Sequence, residues 1–587
     1  MRSPDFAARS GPEIAVLVPE AGLAQRPGPA DGADGPGRSS KADLSAIRVP
    51  YALAIAVAAC VAAFAWILYG DRRLDFFYDE WDWVDRANHW TLRDYFVPHN
   101  EHWSTVPMLI YKILFEIQGA HSYLPFLGAM AAVHVVAGLF LFLIVRGRAG
   151  DALALAATLV FLLLGTGAQD LDWAFQVGFD ASVMFGLIAL YLMHPREAGR
   201  ARQIAGFAAL LLALASSGIG LFYCAAVGVD MLFDRERRRR LWTVAVCAVV
   251  YLAWYEKFGK AGVKAEGDSP FSPSTLKGLV EYVPNGIGNA VAGVLGRSAD
   301  WSQLLLPLVL AALALLWYRE RRVDSLALGA AAGILFQFTL TGLARVQFGT
   351  AESDATRYVG VAAPLVLIVL TDAVRRLPAG RIGVTVLTAV SLVALAGNML
   401  ALHTAQKAQN GEAAFQKDEL ETVWLFRDAP SLQGSAIVDI NNMPTLTAED
   451  YISSRQELGS PLPVVSLSQL PRLNSSPVNQ AMRDVMPLTT HTRTGHAPAA
   501  AKTCTPVGLS GGTVNLQAHG GSTFYVTASS IDSVTVEYWY QGPSAGYTPQ
   551  AVTVAPGDTL AVTVPQAGSG VIWQVSVANS APAAVCR

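Results

Sequence analysis

Long apolar runs separated by short polar loops occupy most of the chain. The first run, residues 51–69, contains no charged residue. Its length is close to the roughly 20 residues that a helix needs to cross a hydrocarbon core of about 30 Å. Ten further runs follow, at 124–145, 152–166, 179–194, 204–217, 218–233, 241–255, 302–318, 325–343, 358–374 and 382–403. The pattern predicts a multi-span α-helical membrane protein with about 11 transmembrane helices.

One more apolar stretch, residues 276–295, is interpreted differently. It contains Pro284, Asn285, Gly286 and Gly288, which suit irregular backbone beside a cavity better than a lipid-facing helix. Counting it as a twelfth span would also move the arginine-rich loop after the next run to the outer side. We therefore predict a re-entrant or interfacial helix here.

Basic residues collect in alternate loops, and this sets the orientation, because Lys and Arg resist translocation. With the N-terminus inside, five short inner loops hold sixteen arginines: 146, 148, 196, 200, 202, 235, 237–240, 319, 321, 322, 375, 376 and 381. We expect a plasma-membrane (inner-membrane) protein with a cytoplasmic N-terminus. Everything after His403 should be extracytoplasmic.

The two ends of the chain differ in composition from the apolar region at 51–403. Residues 1–50 are rich in Pro, Gly, Ala and Arg and predict a disordered cytoplasmic tail. Residues 404–500 predict an extracytoplasmic α/β linker with a helix near 412–426, a strand at 436–440 and a helix opened by Thr445 or Thr447. Residues 501–587 alternate Thr, Val and Tyr between glycines, which predicts an extracytoplasmic β-sandwich-like domain.

Composition narrows the class of protein. The chain has 587 residues, of which 52% are hydrophobic and 15% charged, with a formal net charge of -3. This disfavours a soluble cytosolic enzyme and a nucleic-acid partner. Arginine outnumbers lysine 34 to 9, and Ala and Gly are abundant, as in proteins of GC-rich bacteria. Cys504 and Cys586 bracket the last domain, where an oxidising compartment would permit a disulfide.

The loop after the first run concentrates acids, imidazoles and aromatic residues. Its candidate site residues are Asp79, Glu80, Asp82, His99, Glu101 and His102. One interpretation is an interfacial aromatic belt with solvated acids. The other is an active site, in which a carboxylate near low-dielectric surroundings acts as general base and the neighbouring residues bind the acceptor. Several acids together could also hold a divalent cation such as Mg²⁺ or Mn²⁺. A zinc site formed by His99, Glu101 and His102 with Asp79 or Asp82 is a weaker alternative, because the i, i+2, i+3 spacing of the first three is not a zinc signature.

Other outer loops offer companions for this chemistry. Asp170 and Asp172 follow the third run and could bind sugar hydroxyls, complete a cation site, or cap the next helix. Arg345, Arg357 and Tyr358 flank the loop before the tenth run. A guanidinium group can bind a lipid phosphate with two parallel hydrogen bonds. A plain salt bridge to Glu352 or Asp354 is the alternative for these arginines.

The layout resembles the GT-C superfamily of membrane glycosyltransferases. The resemblance rests on many spans, the acidic pair Asp79-Glu80 just after the first helix, an amphipathic segment at 106–118 and a C-terminal extracytoplasmic domain. It implies transfer of a sugar from a polyprenyl-phosphate donor to an envelope polysaccharide or glycolipid acceptor at the outer face. It also implies that Asp79 or Glu80 is the catalytic base or the carboxylate that positions the acceptor. In an actinobacterium it would imply decaprenyl-phosphate arabinose or a polyprenyl-phosphate hexose as donor.

Two other classes of function stay open on the sequence alone. A transporter or flippase of envelope glycolipids would predict inverted repeats and ionisable residues within the spans. A non-catalytic scaffold would present the C-terminal domain. In that domain Tyr538, Trp539, Tyr540, Tyr547 and Trp573 could stack on sugars, or could simply pack in a core.

Overall fold

The structure is a computed structural model, and it describes residues 43–262, 272–321, 323–498, 501, 503–506, 512–528, 532–540, 551–568, 570–579 and 583–587. The tail predicted at 1–50 therefore falls mostly outside the described residues. The described part contains fifteen α-helices and eleven strands.

Every apolar run found in the sequence is helical. The helices are α1 (Ala52–Gly70), α2 (Glu80–Arg86), α3 (Thr105–Gln118), α4 (Leu124–Leu162), α5 (Val177–Met193), α6 (Arg200–Ser216), α7 (Gly220–Leu232), α8 (Leu241–Lys257), α9 (Pro273–Val294), α10 (Ser302–Glu320), α11 (Ser325–Arg345), α12 (Thr356–Val374), α13 (Arg381–Leu425), α14 (Ala448–Leu458) and α15 (Ser475–Val485). Within the described ranges, seven helices are long and apolar enough to cross a membrane: α1, α4, α5, α10, α11, α12 and α13. These helices define a multi-helix membrane protein.

Helix α4 contains two of the predicted runs, joined at a kink. Gly150 breaks the helical backbone there, with φ 83° and ψ 177°. A side chain could not replace its hydrogen, because a Cβ atom would lie 2.3 Å from the carbonyl oxygen of Ser45. Helices α6, α7 and α8 have 17, 13 and 17 residues, which is short for a hydrocarbon core. The count of about 11 spans therefore stays a prediction.

Helix α9 corrects the expectation of broken backbone. The helix continues through Pro284, and its buried residues lie mainly in its C-terminal half. Gly286 serves helix packing, because a Cβ atom there would lie 2.1 Å from the ring of Phe338 on α11. The small residues thus allow close approach of two helices.

Helix α13 is 45 residues long, about 68 Å at the rise of an α-helix, which is roughly twice the thickness of a hydrocarbon core. It continues past the predicted membrane boundary at His403, so the helix expected at 412–426 is its final part. Two side chains hold this extension against the end of α1. Gln406 donates to Asp71 Oδ2 at 3.0 Å, and Asn410 donates to the carbonyl oxygen of Gly70 at 3.0 Å.

The segment after α13 begins with the antiparallel hairpin β1 (Ile437–Asp439) and β2 (Met443–Thr447). The expected strand at 436–440 is therefore present as β1. Thr447 is the N-cap of α14, and its hydroxyl accepts a hydrogen bond from the backbone N–H of Asp450 at 3.2 Å. Of the two threonines predicted to open this helix, Thr447 does so.

The C-terminal region is rich in strands: β3 (Thr489–Thr494), β4 (Cys504–Pro506), β5 (Gly512–His519), β6 (Thr523–Ala528), β7 (Asp532–Trp539), β8 (Ala551–Val554), β9 (Asp558–Thr563), β10 (Ile572–Asn579) and β11 (Ala583–Cys586). They form two antiparallel sheets, ordered β3-β9-β6-β11-β4 and β5-β10-β7-β8. Alternate residues of both sheets, such as Leu560 and Val575, are buried in one hydrophobic core. Cys504 and Cys586 pair across β4 and β11 and form a disulfide.

Candidate active site

The first loop folds back against the protein through the short helix α2. Trp81, Trp83 and Val84 of this helix are buried. Because residues three apart lie on one face of a helix, Asp79 at the N-cap and Asp82 share the opposite, partly exposed face. Their side chains are 23% and 33% exposed. The sequence of α2 thus turns one acidic face outward and one aromatic face inward.

Glu80 points inward and is fully buried. Its carboxyl group accepts hydrogen bonds from the backbone N–H of Phe77 at 2.9 Å and from the indole N–H of Trp173 at 3.2 Å. The hydroxyl of Tyr123 donates to it at 3.1 Å, and the hydroxyl of Tyr111 also donates to it. Three side chains from distant parts of the chain and one neighbouring backbone N–H therefore enclose this acid.

Burial raises the pKa of Glu80 to about 8, although the surrounding hydrogen bonds favour the ionised form and oppose the increase. A carboxyl group in this position cannot reach an acceptor hydroxyl without losing its enclosing partners. The sequence predicted a base at Asp79 or Glu80, and only Asp79 is accessible. The residues that bury Glu80 were not identified from the sequence, since nothing in their local pattern links them to it.

A tight turn at residues 99–102 faces the acidic side of α2. His99 and His102 exchange two backbone hydrogen bonds, of 3.2 and 3.1 Å, around Asn100, which adopts a left-handed conformation with φ 51°. The side chain of Asn100 donates to Asp79 Oδ2 at 3.2 Å. The turn therefore brings an imidazole and an amide against Asp79.

His99 lies between the two acids of α2. Its Nε2 is 3.8 Å from Asp79 Oδ2, and its Nδ1 is 3.4 Å from Asp82 Oδ2. The indole N–H of Trp83 donates to Nδ1 at 3.1 Å, which places the proton of the neutral imidazole on Nε2, toward Asp79. Burial opposes the charged imidazolium, but Asp79 and Asp82 together outweigh it and raise the pKa of His99.

The other side of the turn contacts α11. Glu101 forms an ion pair with the guanidinium group of Arg345. His102 Nδ1 accepts a hydrogen bond from the backbone N–H of Gly218 at 3.4 Å. Burial lowers the pKa of His102, and the positive charges of Arg345 and Arg357 lower it further, against the effect of Glu101. The positive charges of Arg345 and Arg357 are therefore close enough to the turn to affect the ionisation of His102.

Arg357 lies at the start of α12. Its Nη1 donates to the side-chain oxygen of Gln169 at 3.2 Å, and its Nη2 is 3.9 Å from Glu352 Oε2. The predicted alternative of a salt bridge to Glu352 is therefore present as a long contact. The guanidinium carbon lies 5.0 Å from the centre of the Tyr358 ring. Tyr358 itself is buried, which favours a supporting role over the predicted contact with phosphate.

Asp170 and Asp172, predicted to act together, lie in different surroundings. Asp170 is buried. Burial and the negative charge of Asp180 raise its pKa well above the usual range, and the positive charge of Arg357 offsets part of this increase. Asp172 lines a separate cleft, and burial together with Asp71 raises its pKa to about 8. The N-cap of α5 is Gln176, and no side chain caps that end. The helix-capping alternative for these acids is thus wrong.

No group of three His, Cys, Asp or Glu side chains is placed to hold a metal ion in the part of the chain that the structure describes. His99 faces Asp79 and Asp82, whereas Glu101 pairs with Arg345. These contacts do not assemble the zinc site considered from the sequence, and the divalent cation stays a prediction.

The described aromatic residues of the C-terminal region fall into a buried pair and a partly exposed pair. Tyr538 and Trp573 are buried, with ring centres 5.4 Å apart, and the Tyr538 hydroxyl donates to the carbonyl oxygen of Met486 at 3.1 Å. These two pack in a core and do not form a sugar-stacking surface. Trp539 and Tyr540 are partly exposed, and Tyr547 lies outside the described residues.

Comparisons with known proteins give structural neighbours alone. No protein-family model matches the sequence, and no curated protein matches it. The chain is similar to two crystal structures of ArnT from Cupriavidus metallidurans, one in the apo state and one bound to undecaprenyl phosphate. Both are 14% identical to it, over 70% of this chain and 85% of theirs, with TM-scores of 0.46 and 0.42 respectively.

At 14% identity the likeness concerns the general layout of the chain. The roles of individual residues have to come from their contacts in this protein.

Proposed function

We propose that this protein transfers a glycosyl unit from a polyprenyl-phosphate sugar to an acceptor hydroxyl at the outer face of the membrane, with Asp79 as the general base. The observation that carries the proposal is a partly exposed carboxylate, Asp79, beside His99 of the turn at 99–102. The same turn pairs with Arg345 through Glu101, and the charge of Arg357 acts on its His102. A base and a pair of fixed positive charges are the two groups that displacement of a lipid phosphate requires.

In the proposed reaction, the acceptor oxygen attacks the anomeric carbon and Asp79 takes the hydroxyl proton. The bond between the anomeric carbon and the phosphate oxygen breaks, and its electron pair leaves with the polyprenyl phosphate. The side chain of Asn100 donates to Asp79 Oδ2 at 3.2 Å, and His99 Nε2 lies 3.8 Å from the same oxygen. These two neighbours orient the carboxylate toward the acceptor.

Arg345 and Arg357 are proposed to hold the donor phosphate. Their side chains are 31% and 26% exposed, so each can contact a ligand without unfolding its surroundings. Guanidinium groups bind phosphate in bidentate geometry and stabilise the charge that the leaving group gains. In this arrangement Glu101 holds Arg345 in place until the phosphate arrives.

Glu80 is assigned a positioning role. Its enclosure by Tyr111, Tyr123 and Trp173 fixes the start of α2, and Asp79 is the residue directly before it. A buried acid that cannot meet the acceptor can still set the direction in which its neighbour points.

A transporter is the second candidate, and one observation favours it. His134 of α4 and Asp180 of α5 are buried between helices, with Nδ1 and Oδ1 3.4 Å apart. Ionisable pairs inside a membrane bundle are often parts of substrate or proton pathways. Liposomes containing the purified protein and a labelled glycolipid would test this, because flux without chemical change would support transport.

The enzymatic proposal is tested by product analysis. Purified full-length protein is incubated with a panel of labelled polyprenyl-phosphate sugars, including arabinose and hexose donors, and with envelope glycan acceptors. Appearance of a labelled glycan with release of polyprenyl phosphate would support the proposal. Absence of transfer from every donor in the panel, with folded protein, would contradict it.

A further inference from the structure

The residue before the proposed base adopts a rare backbone conformation. Tyr78 has φ 51°, in the left-handed region that residues other than glycine seldom occupy. Such a conformation is unfavourable and persists only where the surrounding structure enforces it. Tyr78 is also 38% exposed, so burial in the core does not hold it in place. A specific contact has to fix the backbone at this position.

That contact comes from the hairpin of β1 and β2, which lies far later in the chain. The backbone N–H of Tyr78 donates to the carbonyl oxygen of Asn442 at 3.2 Å. Asn442 is the last residue of the turn between the two strands, since β2 begins at Met443. Because this hydrogen bond is made where the chain enters α2, the turn constrains the backbone immediately before Asp79.

The turn itself is held by a buried carboxyl group. Asp439, the last residue of β1, is fully buried. Its Oδ1 accepts from the backbone N–H groups of Asn441 at 2.8 Å and Asn442 at 3.3 Å. Its Oδ2 accepts from the side-chain amide of Asn442 at 2.8 Å. Asp side chains commonly stabilise turns in this way. With three hydrogen bonds to one carboxyl group, the carbonyl oxygen of Asn442 has little freedom to move away from Tyr78.

The position of Asp79 depends on this backbone, because the helix that follows does not fix its side chain. Asp79 is the N-cap of α2, with φ -65° and ψ -16°, and its carboxylate makes no capping hydrogen bond. The carboxylate instead accepts from Asn100 at 3.2 Å and lies beside His99. A change in the conformation of Tyr78 would therefore move the carboxylate relative to the turn at 99–102.

We propose that Asp439 and Asn442 are positioning residues of the active site, which hold Tyr78 in its left-handed conformation and so direct Asp79 toward the acceptor. Their role in catalysis rests on the proposed function, whereas their effect on the position of residue 79 does not. The segment after α13 then takes part in the active site, although it lies outside the apolar region that carries the other site residues.

The first test is steady-state kinetics of the full-length protein in detergent with a lipid-linked sugar donor. Asp439→Ala should lower kcat about 10- to 100-fold with the donor KM within about twofold, because a misplaced base slows the reaction without removing phosphate contacts. Asp439→Asn keeps an oxygen for the two backbone N–H groups and should recover most of the turnover. Ile440→Ala, at a 63% exposed position in the same turn, is the matched control and should behave as wild type.

A milder variant covers the case in which Asp439→Ala does not fold. Asn442→Ala loses the side-chain bond to Asp439 Oδ2 and keeps the backbone bonds of the turn. Loss of that one hydrogen bond should lower kcat about threefold or more, again with little change in the donor KM.

The second test reports on residue 79 without any sugar transfer. Asp79→Cys places a thiol at a partly exposed position, whereas the three free cysteines of the native chain are buried and the other two form a disulfide. Adding Asp439→Ala or Asn442→Ala should raise the rate of maleimide labelling at least about threefold, since the chain is held less firmly there. Adding Ile440→Ala should leave that rate unchanged.

The outcomes separate this inference from the proposed enzyme activity. Raised labelling in the Asp439→Ala and Asn442→Ala variants of a protein that transfers no sugar would contradict the enzyme and support the positioning of residue 79. A labelling rate in both folded variants equal to that of Asp79→Cys alone would overturn the positioning role, with or without sugar transfer. Unchanged kcat in both variants beside an active wild type would overturn it as well.

Discussion

The enclosure of Glu80 predicts that two substitutions of the same residue will have very different effects. Glu80→Ala removes the acceptor for the backbone N–H of Phe77 and the indole N–H of Trp173, neither of which can turn elsewhere. A buried donor left unpaired costs about 1 to 3 kcal/mol, so the two together should lower the free energy of unfolding by about 2 to 6 kcal/mol. If Glu80 were instead an exposed acid in a loop, its replacement by Ala would hardly change the free energy of unfolding.

Glu80→Gln should be tolerated. The amide oxygen can accept from Phe77 and Trp173, while the amide nitrogen donates to the hydroxyl oxygens of Tyr111 and Tyr123. Because the pKa of Glu80 is raised to about 8, the wild-type side chain is mainly neutral at pH 7, and Gln resembles that neutral form. We expect a loss below about 1 kcal/mol.

The raised pKa of Glu80 also predicts how the free energy of unfolding depends on pH. A carboxyl group whose pKa is higher in the folded than in the unfolded protein stabilises the fold most at low pH. That contribution declines as the pH rises from the ordinary glutamate value of about 4.3 toward 8. Glu80→Gln removes this decline, while Asp71, Asp75 and Asp172, whose pKa values burial also raises, remain in both proteins.

Thermal unfolding in detergent, followed by tryptophan fluorescence at pH 5 and pH 8, measures these effects. Wild type should lose more stability than Glu80→Gln between the two pH values, and Glu80→Ala should melt well below both. Equal melting temperatures for Glu80→Ala and Glu80→Gln would refute the buried network. An equal pH response in wild type and Glu80→Gln would refute the raised pKa.

Three further predictions concern the donor site, the disulfide and the topology. Arg357→Ala should raise the KM for the lipid-linked donor more than that for the acceptor, and an equal rise in both would argue against a phosphate contact. Cys504 and Cys586 should be found linked in non-reducing mass spectrometry of protein from its native compartment, with a stabilisation on the order of 4 kcal/mol in the chain-entropy model. Two free thiols would contradict this. A reporter fused after His403 should face the outside and one after Arg238 the cytoplasm, so a cytoplasmic signal at the first position would overturn the predicted orientation.

The helices could be predicted from the sequence because length and apolar composition are local properties. The ends and junctions could not, since contacts between distant segments decide them. Helix α13 continues beyond the apolar run because Gln406 and Asn410 bond to the end of α1, more than 300 residues earlier. Pro284 lies inside α9, where the composition alone suggested a break, and Gly286 two residues later lets the ring of Phe338 on α11 approach closely.

In the candidate site, too, local sequence features were predictable and contacts between distant segments were not. Its acids and arginines were visible as unusual residues at the predicted outer face, and the turn at 99–102 contacts Asp79, Asp82 and Arg345 among them. Sequence could not separate Asp79 from Glu80, because the difference lies in burial by Tyr111, Tyr123 and Trp173 from three separate segments. The pairing of Glu101 with Arg345, 244 positions apart, likewise has no local signal.

The assignment of Asp79 as general base is tested most directly by comparing Asp79→Asn with Glu80→Gln in the lipid-linked sugar transfer assay. Both variants should fold, since Asp79 is partly exposed and Glu80→Gln keeps its hydrogen bonds. Asp79→Asn should lower turnover about 10² to 10⁴-fold, the usual effect of losing a general base, while Glu80→Gln should stay within about tenfold of wild type. Near-normal turnover of Asp79→Asn, measured beside an active wild type, would contradict the account.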